Sequence, residues 1–342
     1  MDSDSYTVYL ITKHLQCLLF ICSMLVNSIL LLLIIFRSPD KIGSYRYLMM
    51  TFSCYCMIFS GITVLAKPVS AAHGQAYIVF SKRRDMRDSD PLRLYLVCMY
   101  STSLGVLMYL ITVQFFYRYC VVCKSKYLTS LFTGWRLFIW FLGMLLVATN
   151  WMFLTRFLAE RTEDMEKVMR KTLITDFHVD IDHVELIGIQ FFTTHFNIKT
   201  VALICNVAIL MGVFSSVTGY CAYQTYHCSK EQLANLNYQN SQDLGNVNQQ
   251  LFLALIAQTC IPTIFMFLPI TLLIIIPMFS ISPGFLVSWS AISIATYPIL
   301  DPLAVIFIIS SYREACLGEP TKKYFDKSLL FQCVFVPANY QH

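Results

Sequence analysis

The chain has 342 residues, of which 57% are hydrophobic and only 13% charged, and its mean hydropathy is +0.60. A water-soluble domain carries about a quarter charged residues, so much of this surface faces lipid and a string of soluble domains is excluded. The net charge of +5 is scattered, without the stripe of Arg, Lys and aromatics that nucleic-acid readers use, which excludes nucleic acid as a partner.

Seven segments reach the roughly 20 mainly apolar residues that a helix needs to cross the hydrocarbon core: 14–36, 46–70, 94–117, 135–157, 198–223, 250–276 and 284–310. Backbone groups in lipid must satisfy one another, so each segment is helical. The alternation of a membrane barrel is absent. The predicted fold is an all-α membrane protein, a seven-transmembrane helix bundle. Residues 1–13 precede it, the bundle occupies 14–310, and a tail covers 311–342. The acids Asp2 and Asp4, without a basic flank, argue against a cleavable signal.

The connections differ in character. The first and third carry Arg37, Lys41, Arg118, Lys124 and Lys126; the second carries Lys82, Arg83, Arg84 and Arg87; the fourth, about 158–197, is long, polar and acidic; the fifth, 224–249, is rich in Asn and Gln; the sixth is a tight turn around Pro277 and Pro283. Basic residues in short loops mark the cytoplasmic side. The first and third loops place the N-terminus outside and the second opposes them, so charge alone leaves orientation open. No internal repeat appears, which argues against an inverted-repeat transporter.

Ionisable or polar groups at membrane depth are costly and point to function. Asp301 sits between Pro298 and Pro302 in the last segment, and Asn27 lies at the same depth in the first. Their side chains are expected to meet, directly or through water, as a helix clamp or a switch. Pro262 and Pro269 break the sixth segment as Pro298 and Pro302 break the seventh, and each proline frees a carbonyl. Arg118 is expected at the end of the third helix among Tyr117 and Tyr119, an interfacial setting. Back from it at helical spacing, Gln114, Leu107, Leu104 and Tyr100 share a face that lines an expected ligand cavity.

Catalytic chemistry finds no footing: there is no metalloprotease, nucleophile-elbow or phosphate-loop motif, and no cofactor or metal is expected. The run His178-x-Asp180-x-Asp182-His183 has ligand-like spacing, but a solvated acidic loop explains it as well. Cys120 and Cys123 form a single C-x-x-C at a membrane edge, without a second pair to make a zinc or redox site. Cys316 stands where a palmitoyl group would reach the membrane.

Several runs read in order then resemble the nematode seven-transmembrane chemoreceptors of the Str type: Gly43 to Met49, Ala76 to Ser81, Phe116-Tyr-Arg-Tyr119, Gln250 to Thr259 with Pro262 and Pro269, Tyr297 to Leu303, and Tyr312-Arg313. The resemblance spans roughly 10–316. It implies a G-protein-coupled chemosensory receptor with its N-terminus outside, in the plasma membrane and in a sensory-neuron cilium. It implies a small-molecule odorant as ligand and a heterotrimeric G protein as partner at Tyr117, Arg118 and Tyr119. It also implies a helix switch made by Tyr297 to Leu303. No acid precedes Arg118, so the ionic lock of rhodopsin-like receptors cannot form in the usual way, and Gln114 replaces a His frequent in the family. The ligand is expected between the outer halves of helices three, five, six and seven. The rival reading is a ligand-gated channel of the seven-helix odorant-receptor kind, which requires the N-terminus inside.

Overall fold

The computed structural model describes residues 2–38, 45–82, 91–123, 126–190, 198–234, 250, 253–254, 256–279, 281 and 285–317. Arg83, Arg84 and Arg87, the Asn- and Gln-rich segment 235–249, Pro283 and the tail beyond 317 lie outside the described residues. Seven helices are long and apolar enough to cross a membrane: His14–Arg37, Tyr45–Ala66, Pro91–Val122, Gly134–Leu158, Ile198–Cys228, Ile256–Leu273 and Trp289–Ile308; they are called the first to seventh spans. A short helix, Ser310–Leu317, follows the seventh.

The spans expose large apolar side chains at the bundle surface as well as packing others into the core. In the first, Leu18, Ile21, Leu25, Ile29 and Leu32 are exposed at helical spacing, while Ser23 and Asn27 are buried. This reverses the pattern of a soluble bundle, as lipid requires: apolar side chains lose nothing by facing tails, and polar ones find partners only inside. The helix bounds depart from expectation where local chemistry dictates. The second span stops at Ala66 because Pro68 disfavours helical geometry at the residue before it, and Lys67 instead takes φ +46°. The third continues to Val122, so Arg118 stands inside a helix and not at its end. The fifth helix runs on to Ala234.

At one end of the bundle lies an element absent from the sequence expectations. Strands β1 (Val69–His73), β2 (Ala76–Lys82) and β3 (Val184–Gln190) form an antiparallel sheet in that order. A two-residue loop joins β1 to β2, with Gly74 at φ +55° in its first place, the position where a hairpin turn calls for glycine. The long fourth connection is therefore not simply a solvated loop. It contributes β3 and the helix Glu163–Phe177. Thr162 caps that helix by accepting from the Met165 N–H, three acids occupy its first turn, and His178 ends it at φ +50°, each feature favouring helix start or stop.

Alternation along the strands gives the sheet two functions. Ala71, Ile78, Phe80 and Leu186 pack upward against Met165, Met169 and Leu173 of that helix. Ser70, Tyr77, Val79 and Ile187 face down into the bundle. Arg161 pairs with Glu166 and Asp182, and Arg170 pairs with Asp180 at 2.8 Å and Asp182 at 2.9 Å. The acids with ligand-like spacing thus fasten the helix to the turn that precedes β3. Both arginines are held above their ordinary range chiefly by these hydrogen bonds, and Asp182 is held below its own by Arg170.

Candidate functional site

Beneath the sheet is a cavity of about 350 Å³, within the size range of small-molecule sites. Tyr100 and Leu104 of the third span line it, with Trp151 of the fourth, Met211 of the fifth, Ile270 of the sixth and Ile294 of the seventh. Its wall is apolar apart from a few groups: Ser70, Tyr77, Ser101, Thr155 and Thr271. The fourth span and the sheet complete a wall that the sequence assigned to spans three, five, six and seven alone. Leu107 is buried in the core below. Gln114 lies further down, where Tyr45 donates to its Oε1 at 3.4 Å. The predicted face thus divides, with only its upper half at the cavity.

From Tyr100 a contact path descends. Its ring stacks on Phe59 at 5.9 Å, and Phe59 meets Tyr297 edge-on at 6.0 Å. The Tyr297 hydroxyl lies 3.4 Å from Cys56 Sγ. On either side of Tyr297 the proline-broken spans are tied to their neighbours by one device used twice. Pro302 has no N–H to offer the Pro298 carbonyl four residues back, and Asn27 Nδ2 donates to that carbonyl at 3.0 Å. Pro269 likewise frees the Phe265 carbonyl, which accepts from the Ser293 hydroxyl at 2.6 Å. Just before Pro269, residues Thr263–Phe267 follow Pro262 as a π-helical turn.

The expected hydrogen bond between the side chains of Asn27 and Asp301 is therefore corrected. Asn27 bonds the Pro298 carbonyl, and its Oδ1 accepts from Ser53 at 3.0 Å. Asp301 accepts from Gln258 of the sixth span at 3.3 Å. The Pro298 carbonyl, left without an N–H partner by Pro302, takes the Asn27 donor. Asn27 and Tyr297 are fully buried and Asp301 nearly so.

At the end opposite the sheet, Arg118 is 2% exposed. It does not sit in the interfacial setting expected of it. Its guanidinium lies over the Tyr45 ring, 5.2 Å from the centroid, and Tyr45 stacks on Tyr117 at 5.8 Å. Tyr117 also meets Phe132 edge-on at 4.9 Å, and Phe132 stacks on Trp140 at 4.7 Å. The Tyr45 ring offers the buried cation its negative face. Tyr119 points elsewhere, toward Tyr220 of the fifth span at 6.0 Å. Nearby, Tyr312 is buried, its hydroxyl 2.6 Å from that of Ser38, and Gln250 Oε1 accepts from the N–H and hydroxyl of Ser310 at 3.1 Å each.

A family model described as serpentine type 7TM GPCR chemoreceptor Str matches residues 12–317. The chain belongs to that family. Among curated proteins, this Str receptor is similar to the G-protein coupled receptor str-217 of Caenorhabditis elegans, 27% identical over 86% of this chain and 85% of the relative. It is similar to the G-protein coupled receptor str-33 of the same organism, 25% identical over 86% of this chain and 87% of that one. It also resembles the serpentine receptor class r-10 of that nematode, 28% identical over 84% of each. The protein is thus a multi-pass membrane protein and a chemosensory, GPCR-like receptor for a chemical ligand.

Two parts of the Str receptor's site escaped the sequence reading. Trp151 reaches the cavity because Gly105 leaves room for its ring: a Cβ there would collide with the indole. The Trp151 Nε1 donates to Ser101 at 3.3 Å. Ser101 and Gly105 lie one turn apart, a small-residue pair of the kind that lets membrane helices approach closely, and that spacing was the available signal. The sheet left a weaker one. Alternation in Ala76 to Ser81 is masked because both faces of β2 are buried.

Proposed function

We propose that this Str receptor binds a small, largely apolar molecule with one or two hydrogen-bonding groups in the cavity beneath the sheet, and signals to a heterotrimeric G protein at the Arg118 end. The N-terminus and the sheet lie outside, in the plasma membrane of a sensory neuron and its cilium. Residues 311–342 then form a cytoplasmic tail. The observation that carries this reading is the continuous path from Tyr100 on the cavity wall, through Phe59, to Tyr297 above the broken ladder of the seventh span. A ligand that presses on Tyr100 alters the packing of Tyr297. At Pro298 the seventh span is held by the Asn27 side chain instead of its own ladder, and at Phe265 the sixth is held by Ser293 of the seventh, so both have the freedom to shift. Ligand binding favours the shifted arrangement by its differential affinity for the two.

Arg118 is buried against Tyr45, which is itself backed by Tyr117, in the arrangement described. Coupling therefore requires that this aromatic packing open, with Arg118 turning toward the G protein. Asn27, Pro262, Pro269, Tyr297, Pro298, Asp301 and Pro302 act as the switch, and Tyr117, Arg118 and Tyr119 as the coupling face.

The test is expression with an N-terminal epitope, stained before permeabilisation, with calcium imaging against a panel of volatile small molecules in the same cells. Surface staining together with a response that Arg118→Ala abolishes at unchanged surface level supports the reading. An epitope reached only after permeabilisation, or ligand-evoked current without any nucleotide exchange on Gα, overturns it in favour of a channel.

A further inference from the structure

The third and fifth spans meet along their length, and the end of this seam near Arg118 carries thiols. Cys120 and Cys221 are buried in it, and Cys123 and Cys228 are half-buried at its edge. Cys123 and Cys228 face each other with Sγ atoms 2.7 Å apart. Cys123 leans across the seam, away from Cys120 of its own C-x-x-C. Its N–H bonds the Tyr119 carbonyl at 2.9 Å, so it continues the helix that carries Arg118, five residues earlier. A disulfide needs Sγ atoms about 2.05 Å apart, which a small side-chain adjustment supplies. Among the described residues no three His, Cys, Asp or Glu side chains converge as a metal site requires.

We propose that Cys123 and Cys228 are an oxidisable thiol pair that closes to a disulfide between the third and fifth spans. With hydrogen peroxide as oxidant, one thiolate attacks a peroxide oxygen, the O–O bond breaks and hydroxide leaves, giving a sulfenic acid. The second sulfur attacks that sulfur, the S–O bond breaks as the S–S bond forms, and water leaves. Two thiols lose two electrons and two protons, and one peroxide becomes two waters. Burial pushes the Cys123 thiol up, which leaves little thiolate at neutral pH and makes closure slow. A bond here pins the third span to the fifth one turn beyond Arg118. It therefore holds the Arg118 end in its closed arrangement. That consequence rests on the proposed G-protein coupling; the bond itself does not.

The experiment uses the full-length receptor in lipid nanodiscs, treated with hydrogen peroxide for hours at pH 8.5. Peptides are then mapped without reduction, and nucleotide exchange on Gα is measured with an activating compound from the panel. The expected result is a linked peptide pair containing Cys123 and Cys228, reversed by dithiothreitol and absent in Cys228→Ser. Stimulated exchange is expected to fall at least fivefold on oxidation in the parent and to stay unchanged in Cys228→Ser. Cys123 left free, or joined to Cys120 or Cys221, overturns the proposal. Linkage without any loss of exchange overturns its regulatory consequence. A reduced receptor that never promotes exchange refutes the coupling and leaves the mapped bond standing.

Discussion

Asn27→Ala tests how a proline-broken helix is held in this bundle. The substitution removes two bonds between helices, the donor to the Pro298 carbonyl at 3.0 Å and the acceptor for Ser53 at 3.0 Å, besides contacts with Ser23 of its own helix. Hydrogen bonds between membrane helices average ~0.6 kcal/mol, so losing two places the cost near 1 kcal/mol. The stranded carbonyl of Pro298 raises it toward about 2 kcal/mol, because a buried acceptor without a donor bears its full desolvation penalty. In a chain of this size that corresponds to a fall of roughly 2–5 °C in the apparent unfolding midpoint. The decisive comparison is made in a Pro302→Ala background. There residue 302 regains its N–H, the Pro298 carbonyl regains its ladder partner, and the one bond between helices that Asn27→Ala still costs is that from Ser53, ~0.6 kcal/mol, the Ser23 contacts being lost equally in both backgrounds. Thermal unfolding of four nanodisc-embedded proteins (parent, two single variants and the double) gives the coupling directly. Equal costs of Asn27→Ala in both backgrounds would refute the assignment of Asn27 as surrogate donor for the missing N–H.

Three further outcomes are expected. Ser293→Ala strands the Phe265 carbonyl freed by Pro269, so it lowers the unfolding midpoint by about 2–4 °C, and a Pro269→Ala background reduces that loss. Leu104→Trp fills the cavity from the third span, so dose–response imaging shows sensitivity falling about tenfold or more, some 1.4 kcal/mol, with surface staining unchanged. Arg170 holds the Asp182 carboxyl below its ordinary value. A depressed carboxylate stabilises above its unfolded pKa, near 4, and that stability is lost as pH falls below it. Hydrogen exchange of the helix Glu163–Phe177, corrected for intrinsic rates, is therefore expected to lose protection below about pH 4 in the parent, and Asp182→Asn to lack that pH dependence.

Seven spans were legible in the sequence because crossing lipid demands both length and uninterrupted hydrophobicity, and both are properties of a linear stretch. The prolines were legible for the same reason: a missing N–H is a fact of one residue. So was the motif order that identified the family, since it is a linear pattern too. Which carbonyl each proline frees follows from counting back four residues, but the donor that meets it does not. Asn27 and Asp301 share a depth, and one-dimensional spacing favoured their pairing. Only the packed bundle, with the first span against the seventh, selected Pro298 over Asp301. Arg118 read as interfacial because its neighbours are tyrosines. The ring of Tyr45, 73 positions earlier in the sequence, and the continuation of the third helix to Val122 decided that it is buried. The sheet was hidden because β2 is covered on both sides, by a helix above and a cavity below, and so loses the alternation that announces a strand. Cys120 and Cys123 were legible only as a C-x-x-C without a second pair, because sequence counts neighbours along the chain. Tertiary structure sets Cys123 against Cys228, because the C-terminal ends of the third and fifth helices, which run parallel, meet only in space.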